Sequence, residues 1–176
     1  MDDNNPATDF PRALAAPEGD VRVIDSTLMA RTVEMARQSP RRRVILPLHQ
    51  SGDETFQRML NTLQPHSYVT PHRHKTPPKA ESVIVLKGSV CIVKFSDAGE
   101  VEGHWVLRAG SSAVGADLVA GIYHTFFALE PDTVLFEAKT GPYDPNADKD
   151  FAPWAPREGS AECEEYLREL YRITKG

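Results

Sequence analysis

Pro71-His72-Arg73-His74, followed after seven residues by Glu81 and the run Ser82-Val83-Ile84-Val85-Leu86-Lys87-Gly88, is the stretch that decides how this chain folds. Residues i and i+2 of a strand point to one face, so His72 and His74 project together. Two adjacent imidazoles are a poor structural choice unless something uses their lone pairs, and a metal ion does. Glu81 opens the next apolar strand. A carboxylate carried inward there is costly without a cation, because burial penalises the charged form. His124, in Gly121-Ile122-Tyr123-His124, offers a third imidazole. Three neutral nitrogen donors and one carboxylate suit one divalent ion: iron, manganese, nickel, cobalt or zinc.

Working outward, the strand signals are regular. Val90-Cys91-Ile92-Val93-Lys94-Phe95 follows Gly88 and ends at Asp97-Ala98-Gly99, and further strands are expected at Gly103–Leu107, Ser112–Val114, His124–Leu129 and Thr133–Ala138. Short strands separated by turns specify a sandwich or barrel. Upstream, Val44–Leu48 reads as a strand, with Pro47 placing it at an edge. Phe56, Met59, Leu60 and Leu63 fit a helical period, yet the segment runs into the turn Gln64-Pro65-His66-Ser67. The expectation is a helical turn near Glu54, a strand from about Gln57, and extended chain at Tyr68-Val69-Thr70. A short strand is expected at Val21–Ile24, then a helix capped by Asp25 or Ser26 and stopped by Pro40. Ser160 is expected to cap a final helix with an apolar stripe at Cys163, Tyr166, Leu167, Leu170 and Tyr171.

The division expected is a flexible arm over residues 1–20, a barrel with its leading helix and a wrapping segment over 21–159, and a C-terminal helix over 160–176. The wrapping segment carries Tyr143, Phe151 and Trp154 among prolines and aspartates, and these aromatics are expected to anchor it by packing.

Composition narrows the function classes. The chain has 176 residues, 40% hydrophobic and 26% charged, with a net charge of -5. An acidic balance gives no electrostatic basis for nucleic-acid binding. The one basic cluster, Arg41-Arg42-Arg43, reads as a solvated turn or strand edge, with binding of an anionic ligand as the lesser alternative. The two cysteines, Cys91 and Cys163, are far apart and in no metal-like spacing, so no disulfide framework is expected. With no signal-like or membrane-length apolar run, the expected location is cytoplasmic. There is no Gly-rich phosphate loop and no nucleophile elbow.

The motifs resemble those of the cupins: HxH, then glutamate, then glycine seven residues on (His72, His74, Glu81, Gly88), and a second motif with Gly121 and His124. Where the first motif usually opens on glycine this chain has His66, a residue type that tolerates positive φ. Thr76-Pro77-Pro78-Lys79 lengthens the gap before Glu81. The run from Ile24 to about Pro156 is similar to the WbuC-type cupin metalloproteins of bacterial polysaccharide gene clusters. Segments carrying this likeness are Ser39-Pro40-Arg41, Ala128-Leu129-Glu130-Pro131, Gly141-Pro142-Tyr143-Asp144-Pro145 and Phe151-Ala152-Pro153-Trp154-Ala155-Pro156.

The resemblance implies a mainly β chain: a single cupin barrel (a double-stranded β-helix or jelly roll) with a helix at each end. It makes His72, His74, Glu81 and His124 the metal ligands and suggests a small-molecule ligand related to sugars. Two classes of function stay open. One is a metal-dependent enzyme, an isomerase or epimerase acting on a sugar or nucleotide-sugar, or an Fe(II)-dependent oxygenase. The other is a non-catalytic sugar-binding or small-molecule-binding cupin. Acid–base candidates are Lys79, Tyr123 and Glu137, which adjoin ligands or lie on an expected strand. Tyr123, Phe127, Tyr143 and Trp154 are candidate pocket aromatics. His49, His66 and His104 have no partner spacing, although His49 precedes a loop that could reach the barrel mouth. No nucleic-acid or membrane partner is expected, and a homodimer is left open.

Overall fold

Alternation of inward and outward side chains decides most of the architecture. A computed structural model describes residues 10–174. Its elements are α1 (Ser26–Gln38), β1 (Arg43–Pro47), β2 (Phe56–Leu63), β3 (His72–Arg73), β4 (Glu81–Lys87), β5 (Ser89–Phe95), β6 (Val101–Arg108), β7 (Gly115–Leu118), β8 (Tyr123–Ala128), β9 (Thr133–Thr140), β10 (Asp150–Phe151) and α2 (Cys163–Ile173). They form two five-stranded sheets, ordered β1-β2-β9-β4-β7 and β10-β3-β8-β5-β6, with antiparallel pairing throughout. The sheets face each other as a jelly roll. Leu63, Val83, Val85 and Leu135 from the first meet Val90, Ile92, Phe126 and Ala128 from the second.

Each sheet also buries part of its outer face. α1 lays Val33 on Leu46, Leu60 and Val134. α2 lays Leu167 and Leu170 on Cys91, Val93 and Phe127. This is why β5 is apolar at nearly every position rather than alternating. It also resolves β2. Met59 and Leu63 point inward while Leu60 points to α1, so apolar residues fall at helical spacing in a strand buried on both faces. The expected helical turn near Glu54 is a hydrogen-bonded turn at residues 52–53, and β2 begins at Phe56.

Other local expectations need correction. Val21–Ile24 forms no strand; Val21 and Val23 are exposed and find no neighbouring edge. Tyr68–Thr70 is buried but irregular. Ser112–Val114 is a turn held by the Ser111 hydroxyl, and the strand comes next, as β7. Ser160 sits in the turn before α2, whose N-cap position is Glu162 with no side-chain cap bond. Asp25 does cap α1, accepting from Leu28 N at 2.8 Å. β1 is an outer strand, as Pro47 requires.

Of the expected arm, residues 1–9 lie outside the described residues. Arg12–Leu14 is tied to β1 by Leu14 N→Ile45 O and Ile45 N→Arg12 O, so this part is anchored. Arg43 is not a solvated edge residue. It is buried, donates to Ser67 Oγ and Tyr68 O, and pairs with Glu158 at 2.7 Å. Burial pulls its guanidinium down to about 10, against the opposing pull of Glu158.

Two backbone positions are imposed by the fold. His66, standing where the motif expects glycine, adopts φ 66°. Gly88 has φ +76°, and a Cβ there would lie 2.4 Å from Thr133 Oγ1, so glycine is needed on both grounds. Among the described residues no helix is long and apolar enough to cross a membrane. Both cysteines are free and buried.

Candidate metal centre

Pairing between β3 and β8 sets His72 directly opposite His124. His74 follows on the same face, and Glu81 opens β4 on the facing sheet. Ring centroids lie 5.1 Å apart for His72–His74, 4.7 Å for His72–His124 and 5.9 Å for His74–His124. One donor atom from each of His72, His74, Glu81 and His124 lies within 4.8 Å of the others, and all four residues are buried. The four residues singled out from the sequence are thus brought to one point.

Hydrogen bonding fixes which ring atom each histidine presents. His72 Nδ1 donates to Thr70 O at 2.9 Å, His124 Nδ1 to Ile122 O at 3.1 Å, and His74 Nδ1 to Asp148 O. A carbonyl only accepts, so Nδ1 carries the proton and Nε2 keeps its lone pair. His124 Nε2 is buried and has no hydrogen-bond partner. His74 Nε2 lies 3.0 Å from Glu81 Oε2, and His124 Nε2 lies 3.9 Å from the same oxygen. Neighbouring ligands at right angles, with bonds of about 2.1 Å, stand about 3 Å apart. The cluster therefore fits a metal ion on two counts: an orphaned lone pair, and donor spacing suited to a shared centre. Backbone carbonyls behind the rings are the supports that metal-bound histidines ordinarily have.

Electrostatics agree. Burial, reinforced by Lys149, His124 and His74, holds His72 well below its ordinary value. Burial does the same to His124, against the pull of Glu81. Both rings stay in the neutral form that coordinates. Burial raises the Glu81 carboxyl, but hydrogen bonding and charge from the groups around it, Lys139 among them, outweigh it, so Glu81 stays ionised.

Beside the cluster is a cavity of about 670 Å3, reached by His72 and Glu81 and walled by Asn61, Glu137, Lys139 and Lys149. Glu137 and Lys139 share the inward face of β9, and Lys139 is in register with Glu81. A loop over residues 141–149 covers this end. Gly141 N donates to Thr55 O, and a Cβ at Gly141 would lie 1.9 Å from Glu54 O. The Asp148 carboxylate takes Lys139 Nζ at 2.8 Å and Lys79 Nζ at 3.4 Å, while its backbone carbonyl receives His74.

The acid–base candidates divide. Glu137 lines the cavity, and burial together with the Glu81 charge raises its carboxyl above the ordinary range. Lys79 is buried against Pro142 O at 2.6 Å and Asp148, where it ties the loop down. Tyr123 faces the opposite side of β8, under the Arg73 guanidinium at 4.2 Å and beside Trp154. Phe127 also faces outward, toward α2. Trp154 packs on Phe95 and Tyr123 and donates to Asp97 O, as its place in an anchored segment requires. Tyr143 and Phe151 do not bury fully, at 48% and 56% exposed, because they stand at the cavity mouth. His49 also reaches the cavity, bonded to Arg58 O.

Asn61, Lys139, Asp148 and Lys149 were not legible as site residues. Lys139 had a usable signal, since it shares strand parity with Glu137. Asp148 and Lys149 sit in a segment without periodicity.

Fold and cluster together define the class: a cupin-type barrel with a buried group of three histidines and one glutamate able to bind a metal. A family model described as a domain of unknown function (DUF6016) matches residues 24–107. No curated protein matches the chain. Among solved structures the chain is similar to TT1209 from Thermus thermophilus, at 20% identity over 69% of this chain and 98% of that one, with a TM-score of 0.50. This likeness concerns the fold. Smaller likenesses are to CapF, the capsular polysaccharide assembling protein of Staphylococcus aureus (22% identity, 61% of this chain and 27% of that one, TM-score 0.46), and to the cupin domain of Schizosaccharomyces pombe Cnp3 (11% identity, 56% and 64%, TM-score 0.42). The chain spans about a quarter of the length of CapF.

Proposed function

We propose that His72, His74, Glu81 and His124 hold one divalent metal ion, and that the protein uses it to bind a small molecule in the adjoining cavity. The observation that carries this reading is the set of three imidazoles, each donating Nδ1 to a backbone carbonyl, with the Nε2 of His124 buried and unpartnered. An apolar core would not retain such a set without a ligand for its lone pairs. Four protein donors leave an octahedral ion two positions for water or ligand. A bound ion supplies Lewis acidity there, polarising a coordinated oxygen. The residues themselves hold the ion, and the loop over residues 141–149 covers that end of the cavity. The sugar-related assignment, and turnover of a sugar or nucleotide-sugar in particular, is supported by the WbuC-type sequence resemblance. The reading is tested by titrating protein stripped with a chelator with Co2+ and following the visible spectrum. One equivalent should produce ligand-field bands that the His124→Ala variant lacks; bands that develop equally in that variant would refute it.

A further inference from the structure

Three groups on the cavity wall have no task in holding the metal. Asn61 is 6% exposed; its Nδ2 donates to Glu137 Oε2 at 2.9 Å, and its Oδ1 is buried without a partner. Buried acceptors left unpaired cost stability, and Asn61 lines the cavity, where a ligand donor would relieve that cost. Glu137, itself 6% exposed, takes its one side-chain hydrogen bond among the described residues from Asn61. It pairs with Val83, two residues along β4 from Glu81. Diagonal neighbours of this kind stand about 7–8 Å apart, a span that one small ligand bridges. Lys149, an exposed residue, lines the same cavity and makes no ion pair among the described residues.

Charge indicates what the ligand carries. Lys139 is taken up by Asp148. Arg41 and Arg43 share the single carboxylate of Glu158. A divalent ion is balanced by Glu81 and Glu137. Lys149 and Arg12 line the cavity without an ion pair among the described residues, so with the ion in place the wall is net positive and favours an anion over a neutral or cationic ligand. A bare anion would leave two acceptors, Glu137 and Asn61 Oδ1, facing it without donors. Hydroxyl groups supply those donors. A volume of about 670 Å3 lies within the range of small-molecule sites.

We infer that the cavity takes a small polyhydroxylated anion, with its carboxylate or phosphate on Lys149 and its hydroxyls on Glu137 and Asn61. The inference deepens the metal-site reading and rests on it for one contact, an oxygen at the ion, and for the positive charge that offsets Glu81 and Glu137. Calorimetric titration of the full chain as purified, with metal content measured in parallel, tests it with four probes: gluconate, sorbitol 6-phosphate, sorbitol and hexanoate. At least one of the two polyol anions should bind roughly tenfold or more tightly than both sorbitol and hexanoate, as a charge-assisted hydrogen bond implies. Comparing the two anions distinguishes carboxylate from phosphate. Lys149→Met should erase the advantage over sorbitol, and Lys149→Arg should restore most of it. Glu137→Met should erase the advantage over hexanoate; should that variant fail to fold, the Lys149 pair and the probe ranking still decide. Absence of metal with the ranking intact counts against the metal site and not against this inference, because Lys149, Glu137 and Asn61 are not ligands. The inference is overturned by no measurable binding of either polyol anion at millimolar concentration, by sorbitol or hexanoate binding as tightly, or by an unchanged ranking in Lys149→Met.

Discussion

Replacing Asp148 with alanine should unfasten the loop that covers the cluster. Its carboxylate is 5% exposed and holds two buried lysines, Lys139 at 2.8 Å and Lys79 at 3.4 Å. Lys79 keeps Pro142 O at 2.6 Å and loses little. Lys139, 6% exposed, is the group left stranded. Removing one partner of a buried ion pair costs about 3–5 kcal/mol. Glu137 and Glu81 still act on Lys139, so the lower end applies, about 3 kcal/mol. For a chain of this size that is a fall in Tm of about 6–12 °C. Urea unfolding followed by tryptophan fluorescence measures it, with Lys139→Met and the double variant completing a cycle. The double variant should lose about 1–3 kcal/mol less than the sum of the singles, since it strands no charge. A loss under about 1 kcal/mol for Asp148→Ala, or additivity within about 0.5 kcal/mol, would refute the reasoning.

Other outcomes follow from the same structure. Gly141→Ala should cost about 1–3 kcal/mol and speed proteolysis within residues 141–149, because its Cβ would meet a backbone oxygen that cannot yield without moving the loop. Asp132, bonded by Arg37 and Gln64, has its carboxyl held below the ordinary range chiefly by the Arg37 hydrogen bond. A depressed folded pKa stabilises above the unfolded value, so the advantage of wild type over Asp132→Ala should be full at neutral pH and shrink as pH falls below about 4. Burial pushes the Cys91 thiol up to about 12, so a thiol reagent should leave it unmodified in native protein and label it once the chain unfolds.

The barrel was legible because its strands carry period-two or fully apolar runs closed by Gly88, Gly99 and similar turns. The pairing of His72 and His74 on one face was legible because HxH parity survives in any strand. What escaped the sequence has physical causes. β2 mimicked a helix because both its faces are buried. Ser160 looked like a cap, yet a turn over residues 161–162 separates it from α2. Tyr123 appeared close to the site through its neighbour His124, but adjacent strand residues point to opposite faces, and parity alone would have placed it outside. Asp148 and Lys149 arrive through a loop whose path is set by Gly141 packing on Glu54, a contact between positions far apart in the chain.

Elemental analysis of untagged protein tests the central claim most directly. The account predicts about one divalent transition-metal ion per chain, lost in His74→Ala while the far-ultraviolet circular dichroism stays that of a folded β protein, since the barrel has a core of its own. Wild-type protein that takes up no metal from a buffer supplying iron, manganese, nickel, cobalt and zinc, or a His74→Ala variant that retains it in full, would contradict the account.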